Sequence, residues 1–123
     1  MGPERISDAE HAVMEVLWQQ SPLTAADVAA QLDGARDWSL QTIKTLLSRL
    51  TNKGAVAYDQ DGRRYLYRPI LAREDYVDDE SQRLVDRLFG GRAAPLIAHL
   101  AERQAFSAED LAEIERLIEE LKS

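Results

Sequence analysis

Residues 39–54, with the sequence SLQTIKTLLSRLTNKG, decide how the rest of the chain is interpreted. Ser39 is placed to cap the N-terminus of a helix, because its hydroxyl can accept a hydrogen bond from a backbone N–H of the first turn. Gly54 is placed to end that helix in the left-handed conformation common at helix C-termini. Between them an apolar stripe recurs at helical spacing, formed by Ile43, Leu46, Leu47 and Leu50. The stretch therefore predicts one amphipathic helix.

The opposite face of this helix carries two cations, Lys44 and Arg49, together with hydroxyls and amides but no acid. Such side chains suit contacts to the phosphates and base edges of DNA. The alternative is an ordinary helix face exposed to solvent. The sequence of this helix alone does not distinguish a DNA-contacting face from a solvated one. The candidate DNA contacts on this helix and at its ends are Ser39, Gln41, Thr42, Lys44, Thr45, Ser48, Arg49 and Lys53.

Two further helix starts precede this stretch. Ser7-Asp8-Ala9-Glu10 matches a capping box and predicts a helix over residues 8–20. Thr24-Ala25-Ala26-Asp27 is a second capping signal, for a short helix that ends near Leu32. Two helices joined by a short glycine-containing turn, the second with a polar contact face, are typical of a helix-turn-helix.

After the central helix the apolar spacing changes from helical to alternating. Residues 55–58 and 64–69 predict the two strands of a β-hairpin, with Gly62 supplying a positive φ in the turn. The tyrosines are expected to be shared between the two faces of the hairpin. The side chains expected to face the core are Val56, Leu66 and Ile70.

Arg63 and Arg64 lie at the predicted tip of this hairpin. Solvation alone would explain two exposed arginines, but beside a basic helix we expect them to contact DNA phosphates. Three helices followed by a hairpin are the order of a winged helix-turn-helix. The predicted fold class is therefore mainly α with a small β-hairpin: a winged helix-turn-helix DNA-binding domain over residues 1–73, followed by a helical lobe over residues 74–123.

Residues 74–123 are predicted to form three acidic helices with apolar faces, and Pro95 is expected at the first position of the middle helix. A unit of this size buries too little surface to be stable alone. The simplest partner is a second copy related by two-fold symmetry, so we expect a homodimer. The residues expected at the dimer interface are Val77, Leu84, Leu88, Leu96, Leu100, Leu111, Ile114, Leu117, Ile118 and Leu121.

The charge distribution agrees with a DNA-binding centre, although the whole chain has a net charge of −7. From Arg36 to Arg73 there are eight cations against three acids, a local charge of +5. The segments before and after carry −5 and −7. Local charge governs attraction to a polyanion, so the basic middle of the chain is the part expected to meet DNA.

Several functions are disfavoured by what the sequence lacks. There is no cysteine, which excludes disulfides, thiolate metal sites and thiol catalysis. His11 and His99 are distant from each other, so we expect a boundary residue and a structural or exposed residue rather than metal ligands. No glycine-rich phosphate loop is found, and neither an enzyme nor a cofactor is expected. No apolar run approaches the roughly 20 residues of a membrane span and no secretion signal is seen, which predicts a cytoplasmic protein.

The sequence contains a set of short motifs in a fixed order: Ile6-Ser7-Asp8-Ala9-Glu10, Trp38-Ser39, Thr42-Ile43-Lys44-Thr45-Leu46, Arg49-Leu50, Lys53-Gly54 and Tyr65-Leu66-Tyr67-Arg68-Pro69. With these motifs the chain resembles the penicillinase-repressor (BlaI/MecI/CopY) family. The resemblance implies a homodimeric winged-helix repressor that binds an inverted-repeat operator of resistance or sensor genes. It also implies that the operator is contacted by Thr42, Lys44, Thr45 and Arg49, with the hairpin around Arg63 on the DNA backbone.

The chain differs from known members of that family in the residues that are involved in induction. Antibiotic-responsive members are cleaved at an Asn-Phe bond, and the aligned pair here is His99-Leu100. Copper-responsive members carry a C-terminal cysteine cluster, which this chain lacks. A sensor or protease that relieves repression is thus a possible partner whose signal the sequence leaves open. The alternative function is a winged-helix module that contacts proteins without binding an operator.

Overall fold

The computed structural model describes residues 5–123 and divides the chain into two units. The first unit ends at Val77 and the second covers residues 78–123. The first unit extends beyond residue 73, because Tyr76 packs against its core. Residues 1–4, which the first predicted domain includes, lie outside the described residues.

The helices and strands follow the predicted order. Along the described residues they are α1 (Asp8–Gln19), α2 (Ala25–Leu32), α3 (Leu40–Asn52), β1 (Val56–Asp61), β2 (Arg64–Pro69), α4 (Arg73–Phe89), α5 (Ala93–Glu102) and α6 (Ala108–Lys122). Strands β1 and β2 pair in antiparallel register, with Tyr58 opposite Tyr67. The mainly helical fold with one hairpin is therefore confirmed.

The predicted signals at both ends of α3 act as expected. Ser39 Oγ accepts a hydrogen bond from the backbone N–H of Thr42 at 3.1 Å. At the other end Gly54 has a φ of +79°, and the Ala55 N–H donates to the carbonyl of Leu50 at 2.9 Å. This pattern satisfies a carbonyl that the end of the helix would otherwise leave unpaired.

The core of the first unit is built around the apolar stripe of α3. All four predicted side chains of the stripe are at most 5% exposed. Trp38 is half-buried against this core, and the Arg36 guanidinium carbon lies 5.0 Å from the centre of its ring. The buried apolar residues are Ile6, Val13, Met14, Leu17, Leu23, Val28, Ile43, Leu46, Leu47, Leu50, Ala55, Val56 and Tyr67.

The hairpin, here called the wing (residues 56–69), faces the core differently from the prediction. Val56 is buried as expected, but Ile70 is 57% exposed and Leu66 is half-buried, while Tyr67 takes the core position at 9% exposure. The cause lies outside the hairpin. Leu23 pairs with Tyr67 through two backbone hydrogen bonds, of 3.0 and 2.7 Å, which fixes the face of β2 that turns inward.

The wing tyrosines are not shared between two faces, so that prediction was wrong. The ring of Tyr58 lies 4.5 Å from that of Tyr65 and 5.7 Å from that of Tyr67, measured between centroids. Tyr58 is opposite Tyr67 in the ladder, and residues two apart on a strand share a face. The three rings therefore form one aromatic surface.

The second unit is an assembly of amphipathic helices without a buried interior. Among residues 78–123 no side chain is buried. Pro95 is the third residue of α5 rather than the first, because the helix begins at Ala93. That position is tolerated, since the N–H groups of a first helical turn have no partner within the helix. Nowhere in residues 5–123 does a helix have the length and apolar character needed to cross a membrane.

Candidate nucleic-acid interface

Helix α3 presents a continuous polar surface on the side opposite its buried stripe. Lys44, Thr45, Ser48 and Arg49 are exposed there, and Gln41 joins them in the first turn. Among residues 5–123, Lys44 and Arg49 make no ion pair and no side-chain hydrogen bond. Two cations on adjacent turns are therefore available to an external anion or base edge.

The hydroxyls of this surface are oriented by local hydrogen bonds. Ser39 Oγ and Thr42 Oγ1 lie 3.0 Å apart, and Thr45 Oγ1 donates to the Gln41 carbonyl at 3.0 Å. With its hydroxyl turned to the backbone, Thr45 is left with an acceptor lone pair and a methyl group for an outside partner. A methyl group of this kind can pack against a thymine methyl in a major groove.

The wing tip adds two arginines, of which one is ion-paired and the other has no ion pair among the described residues. Gly62 has a φ of +65°, as predicted for the turn, and Arg63 and Arg64 follow it. Arg64 Nη2 donates to Asp61 Oδ2 at 2.6 Å, and this hydrogen bond, together with the charge of Asp61, raises the pKa of Arg64. Arg63 makes no ion pair within the described part of the chain. Arg63 is therefore the tip cation more readily offered to a phosphate.

A groove with a volume of about 410 Å³ lies between the first turn of α2, the start of α3 and the wing. The Leu23–Tyr67 pairing holds the wing beside α2 and so forms this groove. Burial raises the pKa of Tyr67, whose hydroxyl is neutral at physiological pH. The lining residues are Thr24, Ala25, Ala26, Leu40, Lys44, Arg63, Arg64, Tyr65 and Tyr67.

Lys53 occupies a different environment from the one expected of a DNA contact. Its Nζ lies 2.6 Å from Glu10 Oε1 and donates to the Arg5 carbonyl at 3.0 Å. The Lys53 side chain is 22% exposed, whereas Glu10 is 1% exposed. An ammonium held by a buried carboxylate is already neutralised. We therefore assign Lys53 a structural role in the free protein, and its contact with DNA stays a prediction.

Glu10 is recognisable in the sequence as a capping residue, but its burial is not. Burial by itself raises the pKa of Glu10, but the hydrogen bonds from Lys53 and Ser7 outweigh it and leave the pKa lowered. The second oxygen, Oε2, is buried with no hydrogen-bond partner. The pair therefore joins the N-terminal end of α1 to the C-terminal end of α3, and Lys53 provides the buried carboxylate with a positive charge.

His11 lies at an aromatic boundary rather than in a metal site. Its ring stacks on Tyr76 with centroids 4.9 Å apart, and its Nε2 is 3.2 Å from Glu15 Oε1. Nearby, the indole N–H of Trp18 donates to the Leu71 carbonyl at 2.8 Å. These contacts attach the start of α4 to α1. Within residues 5–123, no group of three acids or histidines is placed to hold a metal ion.

The residues expected at a dimer interface lie on the helices of the second unit or at its edge. Leu121 is 85% exposed, and Leu96, Leu100 and Ile114 are half-buried. The other six expected residues are all more than a third exposed: Val77, Leu84, Leu88, Leu111, Leu117 and Ile118. In one copy of the chain these apolar side chains are largely open to solvent.

The first unit thus defines a winged-helix protein whose third helix and wing present cations on one surface. Comparison with known proteins makes the class more specific. The model of the family described as penicillinase repressor matches residues 6–120. A penicillinase repressor from Bacillus licheniformis is 33% identical over 97% of this chain and 93% of its own length. A transcriptional regulator BlaI from Mycobacterium tuberculosis is also 33% identical, over 97% of this chain and 86% of its own.

Solved structures agree with the sequence relatives. The DNA-binding domain of the repressor BlaI is 39% identical with a TM-score of 0.55, covering 62% of this chain and 94% of that one. The Bacillus licheniformis BlaI monomeric form in complex with the blaP half-operator is 40% identical with a TM-score of 0.51, covering 58% and 88%. The chain belongs to the penicillinase repressor family. The relatives named here are repressors or transcriptional regulators, so the family is one of DNA-binding regulators and not of enzymes.

Proposed function

We propose that this protein is a sequence-specific transcriptional repressor that binds an inverted-repeat operator as a homodimer and controls resistance or sensor genes. The observation that carries the proposal is the polar surface of α3, where Lys44 and Arg49 are exposed and unpaired within the described residues, beside the unpaired Arg63 of the wing. The related BlaI monomer in complex with a half-operator supports it.

The two groups of cations have different tasks in this proposal. Lys44 and Arg49 lie on α3, which enters the major groove, and each contributes about 1–3 kcal/mol of base discrimination if it makes a bidentate contact with guanine. Arg63 and Arg64, at the wing tip, contact phosphates and contribute affinity for any duplex. Repression follows from occupation of the promoter by the bound protein.

The exposed apolar residues of the second unit are the basis for proposing a dimer. Residues 78–123 contain no buried side chain in the single chain, although α6 carries an apolar face. An exposed apolar face is stabilised when it packs against another apolar surface. In a dimer with two-fold symmetry, this face of each copy packs against the same face of the other copy. Two copies would place two α3 helices on the two halves of an inverted repeat.

Relief of repression by a sensor or protease is part of the same proposal. The pair that corresponds to the cleaved bond of antibiotic-responsive members, His99-Leu100, lies within α5. His99 is exposed and its ring centre is 6.4 Å from that of Phe89. A protease acting at this pair would have to accept a sequence different from Asn-Phe.

A mobility-shift titration tests the function. The full-length protein is titrated against duplex DNA from upstream of its own gene and against a random duplex of equal length, at several salt concentrations. We expect preference for the upstream DNA and an affinity that falls steeply with salt. No shift with either duplex at low salt would instead favour a winged-helix module that contacts proteins.

A further inference from the structure

The groove between α2, α3 and the wing is lined partly by apolar and aromatic side chains. Contacts to DNA phosphates alone would not require such a lining. Its walls include Ala25, Ala26 and Leu40 from the two helices, and the rings of Tyr65 and Tyr67 from the wing. Leu40 and Tyr65 are each 43% exposed. Concave surfaces with exposed apolar and aromatic side chains are typical of small-molecule sites. The groove is therefore suited to an apolar group as well as to an anion.

The charges around this groove favour an anion. Lys44 and Arg63 line it and make no ion pair or side-chain hydrogen bond among residues 5–123. Two acids lie near the groove: Asp61 pairs with Arg64 at 2.6 Å, and Asp27 accepts from the Thr24 backbone N–H at 3.1 Å and interacts with the charge of Arg64. The three cations of the lining outnumber these two acids, and two of the cations have no carboxylate partner among the described residues.

We propose that this groove is a binding site for a small organic acid that combines an aromatic ring system with one carboxylate. The ring lies against Leu40 and Tyr65, and the carboxylate contacts Lys44 and Arg63. The groove volume of about 410 Å³ falls within the range of small-molecule sites, about 300–1,000 Å³. A carboxylate contacted by two cations forms charge-assisted hydrogen bonds, which are stronger than neutral ones.

The site gives such an acid a direct effect on DNA binding. This step rests on the proposed function, because Lys44 and Arg63 are also proposed DNA contacts. A carboxylate bound to both side chains occupies the cations that the operator needs, so acid and operator exclude each other. Because coupling between two ligands is reciprocal, saturating operator also weakens binding of the acid.

A titration without DNA tests the site. Naphthalene-2-carboxylate is titrated into the full-length protein by calorimetry, with the uncharged naphthalene-2-carboxamide as the matched control ligand. We expect saturable binding of the carboxylate with a Kd below about 1 mM, and binding of the carboxamide at least about tenfold weaker. No saturation by the carboxylate, or equal affinity for the two ligands, would overturn the site.

Substitutions locate the binding. Lys44→Gln and Arg63→Gln should each weaken naphthalene-2-carboxylate about tenfold, because each removes one charge-assisted contact. Arg68→Gln removes a wing cation that is paired with Asp59 at 3.3 Å and does not line the groove, so it should leave the affinity unchanged. Equal affinities in all three variants would show that the acid binds elsewhere. Tryptophan fluorescence confirms that each variant is folded.

A competition experiment separates the site from the proposed function. In a mobility shift with operator DNA, the carboxylate should raise the apparent Kd for DNA and the carboxamide should leave it unchanged. A carboxylate that binds without changing operator affinity would refute the exclusion. Protein that binds the acid but no operator contradicts the repressor function alone, whereas protein that binds operator but no acid overturns the groove proposal alone.

Discussion

Replacing Lys53 with methionine tests the role of the buried ion pair. Lys53→Met leaves the Glu10 carboxylate, which is 1% exposed, with the Ser7 N–H at 2.7 Å but without a counter-charge. Removing one partner of a buried pair typically costs about 3–5 kcal/mol. Lys53 is 22% exposed, so water partly compensates. We therefore expect a loss of about 2–4 kcal/mol in the free energy of unfolding at pH 7.

Urea unfolding followed by tryptophan fluorescence measures this loss. Both tryptophans of the chain, Trp18 and Trp38, lie in the first unit, so the signal reports the unit that contains the pair. Lys44→Met is the matched control, since it makes the same chemical change at an exposed lysine of α3 that has no ion partner in the described residues. The control should change stability by less than about 0.5 kcal/mol.

A second substitution, at Glu10, should restore part of the stability that Lys53→Met loses. In Glu10→Gln/Lys53→Met the buried charge is gone, while the amide oxygen introduced at position 10 can still accept from the Ser7 N–H as in a capping box. We expect the double variant to recover more than half of the stability lost in Lys53→Met. If Lys53→Met matches the Lys44→Met control, or if the double variant recovers nothing, the assignment of Lys53 as a structural residue is wrong.

The stability of the native protein and that of Lys53→Met should depend differently on pH. The lowered pKa of Glu10 in the native protein means that its contribution to stability is present above the unfolded pKa and is lost as pH falls through the folded pKa. In Lys53→Met the hydrogen bond and charge of the lysine no longer lower the Glu10 pKa, while burial still raises it, so the folded pKa is higher than in the native protein. The variant then loses less stability on acidification, and the stability gap between the two proteins should narrow as pH falls.

Three further predictions concern the cap, the dimer and the wing. Gly54→Ala should lose about 1 kcal/mol in urea unfolding, because the φ of +79° is strained for alanine although no neighbouring atom lies within 4 Å of the added Cβ. Leu117→Glu/Ile118→Glu should sediment as a monomer, whereas Arg116→Glu on the same helix should stay dimeric; a dimeric double variant would exclude α6 from the interface. Arg63→Gln should reduce the slope of log Kd against log salt by about 0.9, and an unchanged slope would exclude a phosphate contact.

Local signals in the sequence predicted the helices well. The caps at Ser7, Thr24 and Ser39 each depend on residues three apart, and each forms the expected hydrogen bond. The apolar stripe of α3 is buried as predicted, because helical periodicity alone defines which face is apolar. The polar surface of α3 followed from the same periodicity.

The features that were missed depend on contacts between distant segments. Lys53 and Glu10 are 43 residues apart, and neither residue type indicates a buried pair by itself. The inward face of β2 is set by the backbone of Leu23, which no pattern within the hairpin records. A strand whose two faces carry similar residues has a weakly specified orientation, so Leu66 and Ile70 were assigned to the core and the tyrosines to two faces.

The groove could not be predicted for the same reason. Its lining comes from two helices and the wing, and it exists because the Leu23–Tyr67 pairing brings the wing beside α2. Lys44 and Arg63 were identified from the sequence as cations for DNA. Their common position beside Leu40 and Tyr65 is visible only once the chain is folded.

The central claim is that α3 contacts bases while the wing tip contacts phosphates. The most direct test compares Arg49→Ala with Arg63→Ala by measuring the Kd for operator and for a random duplex at one fixed salt concentration. We predict that Arg49→Ala lowers the ratio of the two affinities by about tenfold or more, and that Arg63→Ala weakens both duplexes and leaves the ratio unchanged. Equal losses on operator and random DNA for Arg49→Ala would contradict the claim.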